Sequence, residues 1–353
     1  MTIKQVVATL NGAFPTDEVL FEALPPGRTV ISTTHCAKGA WTITGKLAVQ
    51  DTEGNTERYF VKIAFGEPGR IMLGGEFESA KVIHAVTPDF IPAPIGFGRF
   101  RTPSPATYFY MSEYVDMDVP AIPDPDEFGS RLARLHRGSQ SPNGKFGFHD
   151  TWAAFYRDMF LGVCALDMKR NGPWPEYERA IDQIVQKVIP RLLDNLLDQG
   201  QPIKPCIIHG DLWDGNVGLR KNTGASILFD AGSFYGHNEM ELSTWRCEYT
   251  SVFWAKEYTE AYLRHYPAAE PAGEFEDRNR LYSLKGVINY SAGHTGSQLR
   301  KTAYNNMCYL CEKYAPIEGI AKYDPRVSHQ TEPEGKWKYQ RPRPFPKEDI
   351  PGP

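Results

Sequence analysis

The 353-residue chain has no apolar run of 18 residues or more, so no part of it reads as a membrane-spanning helix. Nor is one sign of charge in excess: 39 Lys and Arg stand against 43 Asp and Glu, a net charge of -4. A general nucleic-acid binder draws its affinity from a basic surface that neutralises phosphates, and this composition does not supply one. Cysteine is sparse. Six are spread through the length, which fits reduced thiols better than the disulfide framework of a small secreted domain. Cys308 and Cys311 have C-x-x-C spacing, but no second pair or nearby His completes a zinc site, so two core thiols one helical turn apart are expected. Met1 to Phe14 holds one Lys and no apolar core, unlike a secretory signal. No internal repeat is present. The expectation is a cytoplasmic protein that partners neither nucleic acid nor membrane, with enough apolar residues (41%) for one large domain or two lobes.

What is there begins with strands. Over residues 27–64, Ile43, Leu47 and Val49 alternate, a turn with Gly54 and Asn55 follows, and Tyr59, Val61 and Ile63 alternate again. A side-chain period of two sends Phe60, Lys62 and Ala64 to the opposite face, so Lys62 projects from one side of a sheet. A helix is expected at about 74–86, with Glu76, Ala80 and Ile83 on one stripe. Pro88, Pro92 and Pro94 break it before another strand, Tyr108 to Val115.

The pattern then changes. Asp124-Pro125-Asp126-Glu127 is a helix start, with a capping Asp, Pro at the first helical position and Glu three residues after the cap. Phe128, Leu132 and Leu135 form the buried stripe of that helix. Residues 176–197 carry a strong helical period that Pro190 kinks or divides. The expected organisation is α+β: an antiparallel-sheet N-terminal part at 1–115, a mostly helical C-terminal part at 116–328, and a Pro-rich mobile tail at 329–353.

Chemistry concentrates in residues 206–242. His209-Gly210-Asp211-Leu212-Trp213-Asp214-Gly215-Asn216 has the order and spacing H-x-D-x-x-x-x-N of a kinase catalytic loop. Two short strands, Val217 to Arg220 and Ser226 to Phe229, are joined by residues 221–225, and Asp230-Ala231-Gly232 stands where kinases carry D-F-G. A hairpin centred on Thr223 would put Asn216 opposite Asp230, close enough for an amide oxygen and a carboxylate to share one Mg²⁺. Phosphoryl transfer asks a protein mainly for positioning and charge neutralisation. Asn216 and Asp230 are the expected metal ligands. Lys62 is the expected cation for the α- and β-phosphates of ATP, and Glu76 its partner. Asp211 is the expected base for the acceptor hydroxyl, and His209 a brace for the loop. Taken singly, Lys62 reads as an edge-strand lysine, Glu76 as a solvated helix residue, and His209 with Asp211 as ligands of a metallohydrolase. Their joint order carries the kinase reading: a two-lobed, α+β protein-kinase-like fold is expected, with a nucleotide-binding N-lobe at 1–115 and a catalytic and acceptor-binding C-lobe at 116–328.

The run His209 to Asn216, then Phe229-Asp230, then Ser233-Phe-Tyr-Gly-His-Asn-Glu239, resembles the fructosamine kinase (ketosamine-3-kinase) family, in its fungal form. The likeness extends more loosely over 30–315, through Phe60-Val61-Lys62, Gly75-Glu76, Leu132 to His136 and Gly144 to Phe148. It implies ATP and Mg²⁺, and phosphorylation of the sugar 3-hydroxyl of a ketosamine such as ribulosamine or fructosamine, free or on a glycated protein lysine. It also implies that backbone around Glu113, Tyr114 and Val115 meets the adenine. Trp213, His237 and Glu239 would lie on the acceptor side, the last two equally as structural braces.

Two features depart from that family. Only His149, Asp150 and Thr151 stand between Phe148 and Trp152, where the family usually carries a longer segment, and the phosphate cover Thr33 to Trp41 has a single Gly39 and no G-x-G-x-x-G. Cys36 falls in that cover, as a thiol open to redox control or as one that is buried or merely exposed. An aminoglycoside- or choline-type small-molecule kinase and a catalytically degenerate nucleotide-binding protein stand as alternatives.

Overall fold

The computed structural model describes residues 14–38, 41–102, 104–247 and 250–327. Gly39 and the tail expected at 329–353 lie outside the described residues. Chain contacts group the described residues into two compact units. One holds the chain up to Asp150 with Ile203–Glu241 and Glu257–Pro267; the other holds Thr151–Pro202, Leu242–Lys256 and the chain from Ala268 onward. The first unit thus contains the expected sheet and also residues 203–241, with the H-x-D-x-x-x-x-N loop.

In the first unit, β1 (Thr29–Lys38), β2 (Ile43–Gln50), β3 (Thr56–Phe65), β4 (Pro94–Arg99) and β5 (Thr107–Glu113) form an antiparallel sheet in the order β1-β2-β3-β5-β4. The expected alternation is realised: Ile43, Leu47 and Val49 of β2 and Tyr59, Val61 and Ile63 of β3 are buried with Phe14, Leu20, Phe109 and Met111. Each such side chain contributes roughly 1.5–3 kcal/mol by leaving water. The β2–β3 turn is held by Asp51, whose carboxylate accepts from the backbone N–H of Glu53 and Asn55 and from the Asn55 amide. On the opposite sheet face, Lys62 sits between Thr44 and Tyr110.

The next helix runs over Gly66–Val86, eight residues earlier than the expected start at 74. Gly66, Gly69, Gly74 and Gly75 hid its first half, because glycine has low helix propensity, and Pro68 is tolerated in a first turn where its missing N–H has no intrahelical partner. Gly69 is required by packing, since a Cβ there would fall 2.8 Å from the Ala64 carbonyl carbon. The Pro125–Gly138 helix is capped as expected: the Asp124 carboxylate accepts from the N–H of Asp126 and Glu127. The two-residue β6 (Met117–Asp118) precedes it.

The second unit is mostly helical, with Trp152–Asn171, Pro175–Gln183, Ile189–Leu193, Phe275–Gly293 and Leu299–Tyr314 as its α-helices. The division expected at Pro190 takes the form of a π-helical turn, Ile184–Val188, directly before the helix containing the proline. A short hairpin joins β7 (Leu197–Asp198) to β8 (Gln201–Pro202). Cys308 and Cys311 are buried on the last helix, and burial pushes both thiols up, Cys308 to about 11 and Cys311 to about 12. No helix among the described residues is long and apolar enough to cross a membrane.

Candidate active site

The chemistry-bearing segment lies within the first unit. There β9 (Cys206–Ile208) delivers the chain to His209 and, after the loop, β10 (Val217–Arg220) and β11 (Ser226–Leu228) form a hairpin with β6 on the outer side of β10. Following Asp230, β12 (Phe234–Gly236) returns to pair with β9, placing Phe234 opposite Ile208 and Gly236 opposite Cys206. Gly210 must be glycine: its φ is +83°, and a Cβ would meet the Gly232 carbonyl oxygen at 2.4 Å.

The hairpin register corrects the expectation that Asn216 lies opposite Asp230. Val217 faces Leu228, and Phe229 N–H donates to the Asn216 carbonyl at 3.1 Å, so Asn216 is opposite Phe229. The loop closes on Arg220 and Ala225, with Gly224 at φ +72°, which shifts the hairpin centre half a residue from Thr223. A one-residue slip reverses a side chain's face. Asp230, beyond the ladder, has φ +59°, a left-handed conformation uncommon for a residue with a side chain. In that conformation its carboxylate forms an ion contact with Lys62 Nζ.

Lys62 Nζ also lies 2.7 Å from Glu76 Oε1. The lysine is only 8% exposed, so two carboxylates offset the cost of removing its charge from water. Strand Lys, helix Glu and Asp-x-Gly therefore meet at one ammonium. Across the loop, Asn216 Nδ2 donates to Asp211 Oδ2 at 3.0 Å and to the Asp211 carbonyl at 2.8 Å. These bonds orient the amide, and its Oδ1 accepts no hydrogen bond from the described residues. The Asp211 residue itself is exposed, while Asn216 is buried.

His209 is buried beneath this loop. Its Nε2 faces the Phe229 carbonyl at 2.9 Å, and its Nδ1 accepts the Asp211 backbone N–H at 3.4 Å. A carbonyl only accepts and a backbone N–H only donates, so the ring is assigned as the neutral tautomer with its hydrogen on Nε2. It braces both the residue of the expected base and the residue preceding Asp230.

Sequence reasoning missed Glu241. This fully buried carboxylate accepts the His209 backbone N–H, and the Gly210 N–H at 3.1 Å. His136 Nε2 lies 3.6 Å away, and its Nδ1 is 2.7 Å from the Tyr262 hydroxyl, which accepts from Asn238 Nδ2 at 2.9 Å. Burial alone would raise the Glu241 carboxyl, but the His136 imidazole and the donation from the His209 backbone N–H hold it below the usual glutamate range. The H-N-E-M-E run offers no signal separating Glu241 from Glu239; only the folded path of the loop does.

The remaining expected residues divide. Glu113, Tyr114 and Val115 line a pocket of about 240 Å³ with the hairpin tip at 220–222. Glu113 N–H is used by the Ala93 carbonyl and Tyr114 N–H by the Arg58 carbonyl, whereas Val115 N–H donates to no described residue. On the acceptor side, Trp213 is partly exposed, its indole lying where a Cβ on Gly215 would stand, at 2.4 Å. His237 and Glu239 are 1% and 0% exposed, which fits the bracing alternative better than direct contact with a bulky acceptor. Cys36 is exposed at its residue surface, but burial of its thiol raises it from its usual value despite the neighbouring Lys46, leaving less thiolate for redox chemistry.

Donor chemistry suits a hard cation: an oriented amide oxygen on Asn216 and the Asp230 carboxylate, with no group of three or more His, Cys, Asp or Glu placed to hold a metal among the described residues. Two protein oxygens are what a magnesium ion takes when a triphosphate and water supply the rest.

A fructosamine kinase family model matches residues 32–310. The rice (Oryza sativa subsp. japonica) chloroplastic protein-ribulosamine 3-kinase is 28% identical over 250 residues, a match covering 66% of this chain and 66% of the rice protein. The chain thus spans just under two thirds of that relative's length. A Thermobifida fusca protein named as a fructosamine-3-kinase superposes with a TM-score of 0.62 at 19% identity, covering 81% of this chain and 95% of that one. An ADP-bound aminoglycoside phosphotransferase gives a TM-score of 0.51 at 14% identity, covering 84% and 96%. At these identities the structural likeness establishes the fold, which is protein-kinase-like.

Proposed function

Because the chain belongs to the fructosamine kinase family, we propose that it is a phosphotransferase moving the γ-phosphoryl group of ATP onto the 3-hydroxyl of a ketosamine. Ribulosamine and fructosamine, free or on a glycated protein lysine, are the substrate class, and the cytoplasm the place of action. The observation that carries this reading is the convergence on Lys62 Nζ of Glu76 and Asp230, in the unit that also holds the Asp211–Asn216 pair.

The proposed division of labour follows from that geometry. Lys62, fixed by Glu76, supplies a positive charge to the α- and β-phosphates. Val115 N–H, left open beside Glu113 and Tyr114, is the donor available to the adenine edge. Asn216 and Asp230 would hold Mg²⁺, which when bound would supply positive charge to the phosphates. Asp211, steadied on one carboxylate oxygen by Asn216, accepts a hydrogen bond from the acceptor hydroxyl with the other. As the hydroxyl oxygen bonds to phosphorus and the bond to the ADP leaving oxygen breaks, the hydroxyl proton passes to Asp211. Trp213, the partly exposed aromatic two residues on, offers a face to the sugar.

ADP release with ATP, Mg²⁺ and ribulosamine, fructosamine or choline tests the reading. Ketosamine-dependent turnover that disappears in Asp211→Asn is the expected result. ATP binding without turnover on any acceptor would mark a non-catalytic member, and turnover on choline alone would move the chain to the amino-alcohol kinases.

A further inference from the structure

Gly74 and Gly75 follow one another in the Gly66–Val86 helix, directly before Glu76. Interior glycine weakens a helix more than any residue except proline. Gly74 has a packing reason, since a Cβ would press on the Phe97 ring at 3.1 Å, but nothing lies within 4 Å of the place a Gly75 Cβ would take. The turn that carries Glu76 is therefore soft on its N-terminal side. One turn further on, Ser79 Oγ donates to the Gly75 carbonyl at 2.7 Å and accepts the backbone N–H of Ser233 at 2.9 Å. Ser79 is 6% exposed, so water does not compete freely for either bond. Ser233 ends the segment Asp230-Ala231-Gly232-Ser233, in which Gly232 N–H donates to the His209 carbonyl at 3.0 Å.

We infer that Ser79 is a positioning residue for the Lys62–Glu76–Asp230 cluster, its hydroxyl locking the helix that bears Glu76 to the segment that bears Asp230. This rests on the phosphotransferase reading for its kinetic consequence, though not for the bond itself. A hydroxyl has one hydrogen and two lone pairs. Giving the hydrogen to the Gly75 carbonyl fixes the hydroxyl and turns a lone pair to Ser233. Ala231, a single buried methyl, offers little packing to do this instead. Removing the oxygen cuts the tie between helix and segment and leaves a shielded N–H without its acceptor.

The test uses the full chain with Ser79→Ala and Ser79→Thr, followed by amide hydrogen exchange at Ser233 and by steady-state kinetics with Mg·ATP and a ketosamine. Ser79→Ala should speed Ser233 exchange and lower kcat, each by about tenfold, with the acceptor KM unchanged. Ser79→Thr, which keeps the oxygen, should restore both. Wild-type exchange or wild-type kcat in Ser79→Ala overturns the inference, as does an equal loss in Ser79→Thr. A wild-type chain without turnover would end the functional reading alone, since Ser233 exchange still decides whether the tie exists.

Discussion

Glu241 in the first unit and Asp167 in the second are both buried carboxylates, but their donors differ in kind. Among the described residues, Asp167 accepts only from side chains: Arg300 Nε at 2.9 Å, Asn171 Nδ2 at 2.9 Å and Ser291 Oγ at 2.7 Å. Those residues belong to the Trp152–Asn171, Phe275–Gly293 and Leu299–Tyr314 helices, and Arg300 also reaches the Asn171 and Gly172 carbonyls at that first helix's end. This is a staple between regular elements. Glu241 instead accepts backbone N–H groups of His209 and Gly210, in a stretch with no helix or strand ladder of its own. Backbone donors cannot swing away, so the carboxylate sets the path of the chain leading to Asp211. Burial of a charge serves stability in one unit and the aim of a side chain in the other.

Asp211→Asn should give the largest effect of all, a fall in kcat of about a thousandfold with an unchanged melting curve, because it removes the proton acceptor and no packing. Lys62→Met comes next. Losing the cation between Glu76 and Asp230 should lower kcat/KM for ATP about a hundredfold, and an ATP dependence close to wild type would remove Lys62 from the nucleotide side.

The contrast between the two carboxylates is tested directly by a pair of conservative variants. Glu241→Gln should reduce kcat by about tenfold through a loosened loop, whereas Asp167→Asn should leave kcat alone and lower stability by about 3 kcal/mol, because Arg300 loses its buried counter-charge. Denaturation and turnover measured on both would break the comparison if the two effects were exchanged.

The smallest effect is in pH. Glu241 has a folded-state pKa below its ordinary value of 4.5. The unfolded chain therefore takes up its proton first. The stability Glu241 contributes is complete above that pH, and it is lost as pH falls through the lowered value. Urea midpoints followed through the acid range should show a steeper acid loss in wild type than in Glu241→Gln. Parallel curves would mean that the surrounding histidines do not hold the carboxylate as described.

Much of this was legible before folding. The period of two in β2 and β3 named the buried face and left Lys62 on the other, and the Asp124-Pro125 cap was found where the sequence put it. Local chemistry controls such features, so a local reading suffices. The glycine-rich first half of the Gly66–Val86 helix was not legible, because the packing of Gly69 on Ala64 and Gly74 on Phe97 overrides low propensity. Nor was the hairpin register, where half a residue in the turn moved Asn216 from Asp230 to Phe229.

By itself the sequence determined the residue types of the site and their order along the chain: Lys62, Glu76, Asp211, Asn216, Asp230. Residue type and spacing are written in the chain, and phosphoryl transfer requires few of them. Tertiary structure alone decided that Asp230 turns through a left-handed backbone to meet Lys62, that Glu241 lies under the loop and that Ser79 ties helix to segment. Each depends on partners 31 to 168 residues apart coming within hydrogen-bond or ion-pair reach, as in Glu241 with Gly210, Ser79 with Ser233 and Lys62 with Asp230. Burial and pairing at that range are properties of the packed chain, and no local pattern encodes them.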